Sequence, residues 1–234
     1  LAADGRLAGR ARRVPFARNA GHIAVLAHRG SEPVVALVPS VGLPMVQDKS
    51  LAGEPRDTVS FDSAVPEAIA SVDFDEDMIQ RFGAAVRLQQ MAGALDKILE
   101  QSVQWALDRS QFGRPIAKFQ AVQHNLATLA GEVAAAGAAA DLAAEACAGD
   151  DLEAAGVAIA KVRAGEAAGA GAAIAHQVHG AMGFTYEHTL HHATRRLWSW
   201  REEFGNETVW ATRLGRMVAA QGADQLWPFV TDQT

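Results

Sequence analysis

The sequence has 234 residues, 49% of them hydrophobic and 21% charged, and its formal net charge is −6. This length is enough for one large domain, or two modest ones, with a core of its own. The acidic balance gives no basic surface for nucleic acid, and no run of about 18 apolar residues predicts a membrane span. The single cysteine, Cys147, excludes an internal disulfide. We expect a soluble cytoplasmic protein that binds neither nucleic acid nor a membrane.

The chain opens without methionine, on the residues LAADG, which have the pattern of a strand end that runs into a turn. A natural domain rarely starts inside a hairpin. We therefore expect a fragment, a processed chain, or a chain that lacks its N-terminal region.

Up to about Val72 the pattern is typical of β-structure, because glycines and prolines separate short apolar or alternating runs. Strands are predicted for four of these runs, at residues 13–17, 22–27, 34–38 and 58–61. We interpret residues 1–72 as part of a small middle β-domain.

From about Asp75 the apolar residues recur at steps of three and four, which predicts an amphipathic helix that continues to Asp108. Asp75 or Asp77 can cap its start. Further helices are predicted at residues 119–148, 152–179, 187–199 and 207–220, and residues 149–151 separate the two longest of these. The alanine-rich stretches keep an apolar face, which favours packed helices over low-complexity sequence. The predicted fold class is α+β, mainly α, with a helical bundle at residues 73–234.

A polar loop, RSQFGRPIAKFQ at residues 109–120, lies between the first two predicted helices. Arg109 at a helix end, with a glycine turn behind it, can present a fork of donors to a phosphate. Alternatively, Arg109 complements the helix dipole while Gly113 and Pro115 only make the turn. Taken alone, the loop favours this second interpretation.

A second segment, QVHGAMGFT at residues 177–185, follows the third predicted helix. Gly180 and Gly183 would let a ligand approach the backbone closely. They are also typical of a helix end followed by a turn, and two glycines at this spacing are a weak signal by themselves.

Taken together, R-x-Q-F-G-x-P-I-x-x-F-Q and the later Q-x-H-G-x-x-G-F-T resemble the C-terminal domain of the acyl-CoA dehydrogenase family. The alanine-rich helical hairpin between the two segments also matches that domain, which is a four-helix bundle. The resemblance covers roughly residues 75–220. Residues 4–10 and the strands after them resemble the later part of the family's middle β-domain.

The resemblance implies that FAD lies between the β-domain and the helical domain of one subunit, and that a neighbour's helical domain holds its ADP end. An arginine fork and exposed backbone N–H groups suit a pyrophosphate. The residues that the resemblance assigns to FAD are Arg109, Gln111, Phe112, Phe119, Gln120, Gln177, Val178, His179, Gly180 and Ala181.

The resemblance also implies the reaction and the partners. A glutamate base removes the α proton of an acyl-CoA while the β hydride passes to flavin N5, and electron-transfer flavoprotein accepts the electrons. The expected assembly is a homo- or hetero-oligomer, a dimer of dimers, with an acyl-CoA dehydrogenase subunit.

The family's two places for the glutamate hold no carboxylate here, since they match Phe204 and about Gly83. Glu203 and Glu207 flank the first place and Glu76 precedes the second, so a shifted alignment could bring one of them to it. The sequence therefore identifies no catalytic residue.

Two explanations for the missing base stay open. The sequence can be a truncated copy, or it can belong to the heteromeric acyl-CoA dehydrogenases, including those acting on steroid-CoA thioesters, in which one subunit carries the glutamate. The second is favoured. Three functions follow: a dehydrogenase subunit, a non-catalytic subunit that completes a partner's FAD site, or a flavin-dependent oxygenase or oxidase of the same fold.

The histidines at His188, His191 and His192, with His176 and His179 nearby, have spacings that a metal site could use. A zinc site needs three or four converging ligands, and here no third ligand is evident. We predict surface or interface histidines and no metal.

Overall fold

The computed structural model describes residues 1–2, 4–148 and 154–231. The chain forms two compact units, Leu1–Ile79 and Gln80–Thr234. The last strand ends at Ser71 and the first helix begins at Glu76.

The first unit contains two three-stranded antiparallel sheets, in the orders β1-β5-β4 and β2-β3-β6. The strands are β1 (Leu7–Pro15), β2 (His22–Arg29), β3 (Glu32–Pro39), β4 (Met45–Val46), β5 (Arg56–Ala64) and β6 (Ala68–Ser71). Leu7, Ile23, Val38, Val59 and Phe61 are buried in its core. The strands predicted at residues 22–27, 34–38 and 58–61 are therefore confirmed.

The strand predicted at residues 13–17 is wrong at both ends, because β1 begins at Leu7 and ends at Pro15. The pairing of β1 with β5 extends the strand through its arginine-rich start, where the sequence shows no apolar alternation. Phe16 then takes a left-handed conformation, with φ 53°, and a short 3₁₀ turn follows. The pairing with β5 therefore ends at Pro15, opposite Arg56.

The helices of the chain are α1 (Glu76–Asp108), α2 (Gln120–Ala148), α3 (Ala154–His179), α4 (Leu190–Glu202), α5 (Glu207–Gln221) and α6 (Leu226–Thr231). The first five confirm the helices that the apolar period predicts, whereas α6 was not predicted. Asp75 caps α1, since its Oδ1 accepts a hydrogen bond from the N–H of Met78 at 2.9 Å. Residues 149–151, predicted to separate α2 and α3, lie outside the described residues.

The bundle packs on small side chains. Its main core combines leucine, isoleucine and methionine from α1 with alanine-rich faces of α2 and α3. Gly171 on α3 shows why: a Cβ there would lie 2.9 Å from Leu95 Cδ2 and 3.3 Å from Leu129 Cδ1. Side chains of α1 and α2 therefore reach the backbone of α3 directly.

Helix α2 also bears on the membrane prediction. Over Gln120–Cys147 it has the length and apolar composition of a membrane span, with a mean hydropathy of 1.3, and 33% of that window is buried. Alanine produces most of this apolar character, and a single core helix of a water-soluble protein passes the same test. The absence of a membrane partner stays a prediction.

Candidate functional site

The arginine loop folds as a small hairpin at the end of α1. Strands β7 (Ser110–Gln111) and β8 (Arg114–Pro115) pair across a turn at Phe112 and Gly113, both left-handed with φ 53° and 78°. Left-handed backbone at Phe112, which is not a glycine, costs on the order of 1 kcal/mol. It holds the Phe112 side chain at the tip of the hairpin, 93% exposed.

Aromatic contacts fix the hairpin to the start of α2. The ring of Phe119 meets the ring of Phe112 edge-on, with centroids 6.1 Å apart. The guanidinium of Arg114 lies 4.3 Å from the Phe119 centroid, within the range of a cation–π contact. Gln111 and Gln120 are exposed on the same loop. Of the predicted residues here, Phe119 is half-buried and serves as the anchor.

The second segment ends α3 with a change of backbone direction at Gly180, whose φ is 61°. Nothing lies within 4 Å of a Cβ built there, so the backbone faces open space. Gly183 is needed for a different reason, since its Cβ would lie 2.9 Å from His179 Cβ. Gln177 and Ala181 are exposed, whereas the side chains of Val178 and His179 are buried.

The two segments meet in one chain through Trp105, in the last turn of α1. Its ring stacks on the ring of His179 with centroids 5.3 Å apart and planes at 21°. The guanidinium carbon of Arg109 lies 6.0 Å from the Trp105 centroid. Sequence analysis missed Trp105, because it belongs to neither motif and only the folded chain brings it to His179.

His179 is held as a neutral acceptor. Its Nδ1 donates to the carbonyl of Ala175 at 2.7 Å, which leaves Nε2 with a lone pair. Nε2 is buried and has no hydrogen-bond partner within the described part of the chain. Burial lowers the pKa of His179 against the raising effect of the Ala175 hydrogen bond, and electrostatic repulsion from His188 and His176 lowers it further. The region thus combines the positive charge of Arg109 with an uncharged acceptor.

The two places assigned to the catalytic glutamate are in contact with each other. A Cβ built on Gly83 would lie 2.3, 2.4 and 2.6 Å from three atoms of the Phe204 ring. The ring therefore packs on the bare α-carbon of Gly83. The side chain at one of these places therefore lies directly against the backbone at the other.

The loop that carries Phe204 is locally constrained. Phe204 and Gly205 are both left-handed, with φ 57° and 91°. The indole N–H of Trp210 donates to the carbonyl of Phe204 at 2.9 Å, and Asn206 caps α5 by accepting from the N–H of Val209. The position of the ring is thus set by the backbone as well as by its contact with Gly83.

The carboxylates flanking Phe204 are engaged by arginines. Glu203 Oε2 lies 2.6 Å from Arg87 Nη2, and both side chains are largely buried. Glu207 accepts two hydrogen bonds from Arg201, one of them from Nε at 2.9 Å. The Arg201 hydrogen bond lowers the pKa of Glu207, which makes it a weaker base.

Glu76 also makes a local contact. It lies in the first turn of α1, its side chain is 77% exposed, and its Oε1 is 3.9 Å from His28 Nδ1. Its contact is with β2 of the first unit.

A stripe on α3, formed by Lys161, Gly165 and Gly169, supports the same loop. A Cβ on Gly165 would lie 2.9 Å from Glu207 Oε2, and one on Gly169 would lie 3.2 Å from Arg201 Nη1. Because residues four apart share a helix face, this stripe seats the ion pair directly on the backbone of α3.

Lys161, at the end of that stripe, is fully buried. Its Nζ donates to the carbonyls of Trp200 at 3.2 Å and Arg201 at 2.8 Å, at the C-terminal end of α4. A positive charge there complements the helix dipole. Burial nevertheless lowers its pKa to about 8, against the raising effect of Glu202 and the other nearby carboxylates.

Within the described residues, no group of three or more histidine, cysteine, aspartate or glutamate side chains is placed to hold a metal ion. His176 stacks on Phe184 at 4.4 Å and His191 lies beside His192 at 4.1 Å. His188 instead meets Trp105 edge-on.

The buried charge of Lys161 predicts a specific pH dependence. The pKa of about 8 lies below the ordinary 10.5, so the unfolded chain binds more protons than the folded chain between these values. The protein is therefore most stable, as far as Lys161 is concerned, above pH 10.5, where the lysine is neutral in both states. This stability is lost as the pH falls from 10.5 to about 8. Between pH 8 and 10.5, the free energy of unfolding of the protein should rise relative to that of Lys161→Met by about 3 kcal/mol.

Chemical denaturation of both proteins across that range measures this difference. Lys97→Met, at an exposed lysine of α1, is the control and should track the unsubstituted protein. A constant difference between the protein and Lys161→Met at every pH would contradict the assignment.

Comparisons with known proteins agree with these features. Residues 79–219 match the family model described as acyl-CoA dehydrogenase, C-terminal domain. The chain is similar to acyl-CoA dehydrogenase IpdE2 of Mycobacterium tuberculosis, with 38% identity over 102 residues, 44% of this chain and 30% of that protein. It is also similar to IpdE2 of Mycolicibacterium smegmatis, with 29% identity over 161 residues, 66% of this chain and 49% of that protein. The matches thus span half or less of each relative's length.

The fold has a counterpart in the crystal structure of the ChsE4-ChsE5 complex from Mycobacterium tuberculosis. The TM-score is 0.79 at 25% sequence identity, over 93% of this chain and 61% of that one. The predicted fold class is thereby confirmed. The family model covers more than half of the sequence, and the chain therefore belongs to the acyl-CoA dehydrogenase family.

Proposed function

We propose that this chain is a subunit of a FAD-dependent acyl-CoA dehydrogenase, and that the assembled enzyme converts an acyl-CoA to the 2,3-enoyl-CoA. Bound FAD supplies the acceptor for the hydride that leaves the β carbon. The chain itself completes the site for the ADP end of FAD, and another chain supplies the base. A dimer of dimers, electron-transfer flavoprotein as acceptor and a cytoplasmic location belong to the same proposal.

The contact of Arg109, Trp105 and His179 supports the first part. It joins the two groups of predicted FAD residues, at 109–120 (the arginine half) and at 177–181 (the glycine half), which together we call the clamp. Arg109 offers the charge that a diphosphate requires. The open, left-handed backbone at Gly180 lets a ligand approach closely. The unpartnered Nε2 of His179 can accept a hydrogen bond from a hydroxyl or amino group. These residues fit the ADP end of FAD.

Exposure of the clamp fits a ligand that reaches it from another chain. Most of the predicted residues are exposed here, namely Arg109, Gln111, Phe112, Gln120, Gln177, Gly180 and Ala181. A large aromatic side chain held at a strained and exposed tip, as at Phe112, is typical of a contact site. Val178 is buried and would take part through its backbone.

The ring of Phe204 over Gly83 supports the second part. A base must reach the proton that it removes. Phe204 stands at one of the two places that the resemblance gives to the glutamate, and its ring covers the other at Gly83. Glu203 and Glu207 are engaged by arginines. The similar crystal structure is that of a complex between two differently named proteins, ChsE4 and ChsE5. A heteromeric assembly, in which the partner carries the carboxylate, accounts for these observations.

The FAD part is tested on the assembly purified with its partner, by measuring the dissociation constant of FAD. Arg109→Met should weaken binding about tenfold or more, because a charge-assisted hydrogen bond contributes at least that much. Arg216→Met, at an exposed arginine of α5, is the matched control and should bind as the unsubstituted assembly does. An assembly without flavin absorbance that also fails to bind added FAD would overturn the proposal.

The missing base is tested by turnover of the same assembly. Glu203→Gln and Glu207→Gln should each reduce kcat by less than about tenfold, whereas removal of an acid–base group costs about a hundredfold or more. Glu202→Gln, at an exposed neighbour, is the control, and melting temperatures identify losses caused by unfolding. A hundredfold loss in a folded Glu203 or Glu207 variant would place the base in this chain.

The same assay distinguishes an oxidase or oxygenase. Such an enzyme would consume dioxygen during turnover and would not pass electrons to electron-transfer flavoprotein.

A further inference from the structure

We infer that Trp105 is a positioning residue for FAD, which aligns the two halves of the clamp with each other. This inference rests on the proposed function. Neither motif contains Trp105, and the residue is recognised only from the contacts that its ring makes in the folded chain.

Trp105 positions Arg109 in two ways, and the first is through the backbone of the helix. Residues four apart lie on one helix face, so Arg109 emerges directly above Trp105. The N–H of Arg109 donates to the carbonyl of Trp105 at 2.9 Å and extends the helical hydrogen bonding past the end of α1 at Asp108. The guanidinium lies over the indole ring, at the outer limit of a cation–π contact. The ring therefore restricts the directions that the Arg109 side chain can take.

Trp105 controls the glycine half through His179. The stacked imidazole is already fixed at Nδ1 by Ala175, so the stack fixes the last residue of α3 against α1. Gly180, the next residue, turns the chain in its left-handed conformation. The same indole ring therefore fixes both the direction in which the backbone leaves α3 and the position of Arg109.

The protonation of the surrounding groups is compatible with this role. His179 is neutral, so the indole lies between one cation and an uncharged ring. His188 meets Trp105 edge-on at 5.5 Å and His179 at 4.7 Å, which completes an aromatic cluster of three rings. These contacts hold the indole in one orientation.

The indole is not enclosed on every side. An open cavity of about 310 Å³ borders Trp105, and its other lining residues are Lys97, Glu100, Gln101, Gln104, Asp108 and His188. A side chain with space beside it is held by its specific contacts rather than by surrounding core. Loss of the indole should therefore affect the geometry of the clamp more than the stability of the bundle.

Preorganisation is the physical reason for an effect on FAD. A ligand that must itself bring two loops together loses part of its binding free energy to that ordering. A clamp whose halves are already aligned avoids this cost. Alignment of the halves matters only while both of them bind FAD, so the contribution of Trp105 should depend on Arg109 being present.

The experiment measures the dissociation constant of FAD for the assembly carrying Trp105→Leu, Trp105→Phe, Arg109→Met, or Arg109→Met combined with either Trp105 change. Trp105→Leu should weaken FAD binding about tenfold, and Trp105→Phe should recover at least half of that loss because it restores a ring for stacking. In the Arg109→Met background, Trp105→Leu should cost less than about threefold. Trp198→Leu is the control, since Trp198 stacks on His176 rather than on the clamp. It should leave FAD affinity unchanged.

An unchanged FAD affinity in Trp105→Leu would overturn the inference, as would an equal loss with and without Arg109. A loss in Trp198→Leu as large as that in Trp105→Leu would show a general packing effect and overturn it too. If Trp105→Leu does not assemble, the double-mutant cycle of Trp105→Phe with Arg109→Met replaces it. Additive changes in the free energy of FAD binding would then overturn the inference. Failure of the proposed function differs, because Arg109→Met would then bind FAD like the unsubstituted assembly.

Discussion

The contact between the Phe204 ring and the bare α-carbon of Gly83 is the packing constraint on which the proposed function of this chain depends. The two residues are 121 positions apart in the sequence. The Phe204 ring fills the space that a side chain at position 83 would take. A carboxylate cannot occupy that space while the ring is there. The loop that carries the ring is anchored on both sides, because Lys161, Gly165 and Gly169 seat the end of α4 and the Arg201–Glu207 pair on α3. The position of the Phe204 ring is thus fixed by the packing of the bundle.

The same two helices position both candidate regions, the predicted FAD residues and the Phe204 loop. Helix α1 carries Gly83 in its first third and Trp105 in its last turn, and Arg109 follows its end. Helix α3 supports the Phe204 loop through small residues along one face and ends at the Gln177–Gly180 segment. Close packing on glycine and alanine fixes these helices relative to each other, since side chains of α1 reach the backbone of α3 at Gly171. This arrangement is compatible with the proposed assembly, in which two kinds of chain divide FAD binding and proton abstraction between them.

Sequence reasoning recovered what local pattern determines. The period of apolar residues predicted α1, and the pattern after it predicted the four helices that follow. Asp75 caps α1 as its acidic side chain suggested. Features that depend on distant pairing were not predictable: β1 starts at Leu7 because it pairs with β5. Phe204 and Gly83 each appeared as a separate departure from the family, whereas their contact exists only in the folded chain. Trp105 and Lys161 escaped notice for the same reason, since nothing in their sequence surroundings indicates an aromatic cluster or a fully buried charge.

The most direct measurement is the free energy of unfolding of Gly83→Ala, made in the unsubstituted chain and in a Phe204→Ala background. Without the ring, alanine should stabilise α1 by about 1 kcal/mol, because alanine favours a helix more than glycine does. With the ring present, the new Cβ would collide with it, so Gly83→Ala should instead destabilise the protein by about 1 kcal/mol or more. Equal effects in both backgrounds, within about 0.5 kcal/mol, would show that the ring does not lie on Gly83 and would contradict the account.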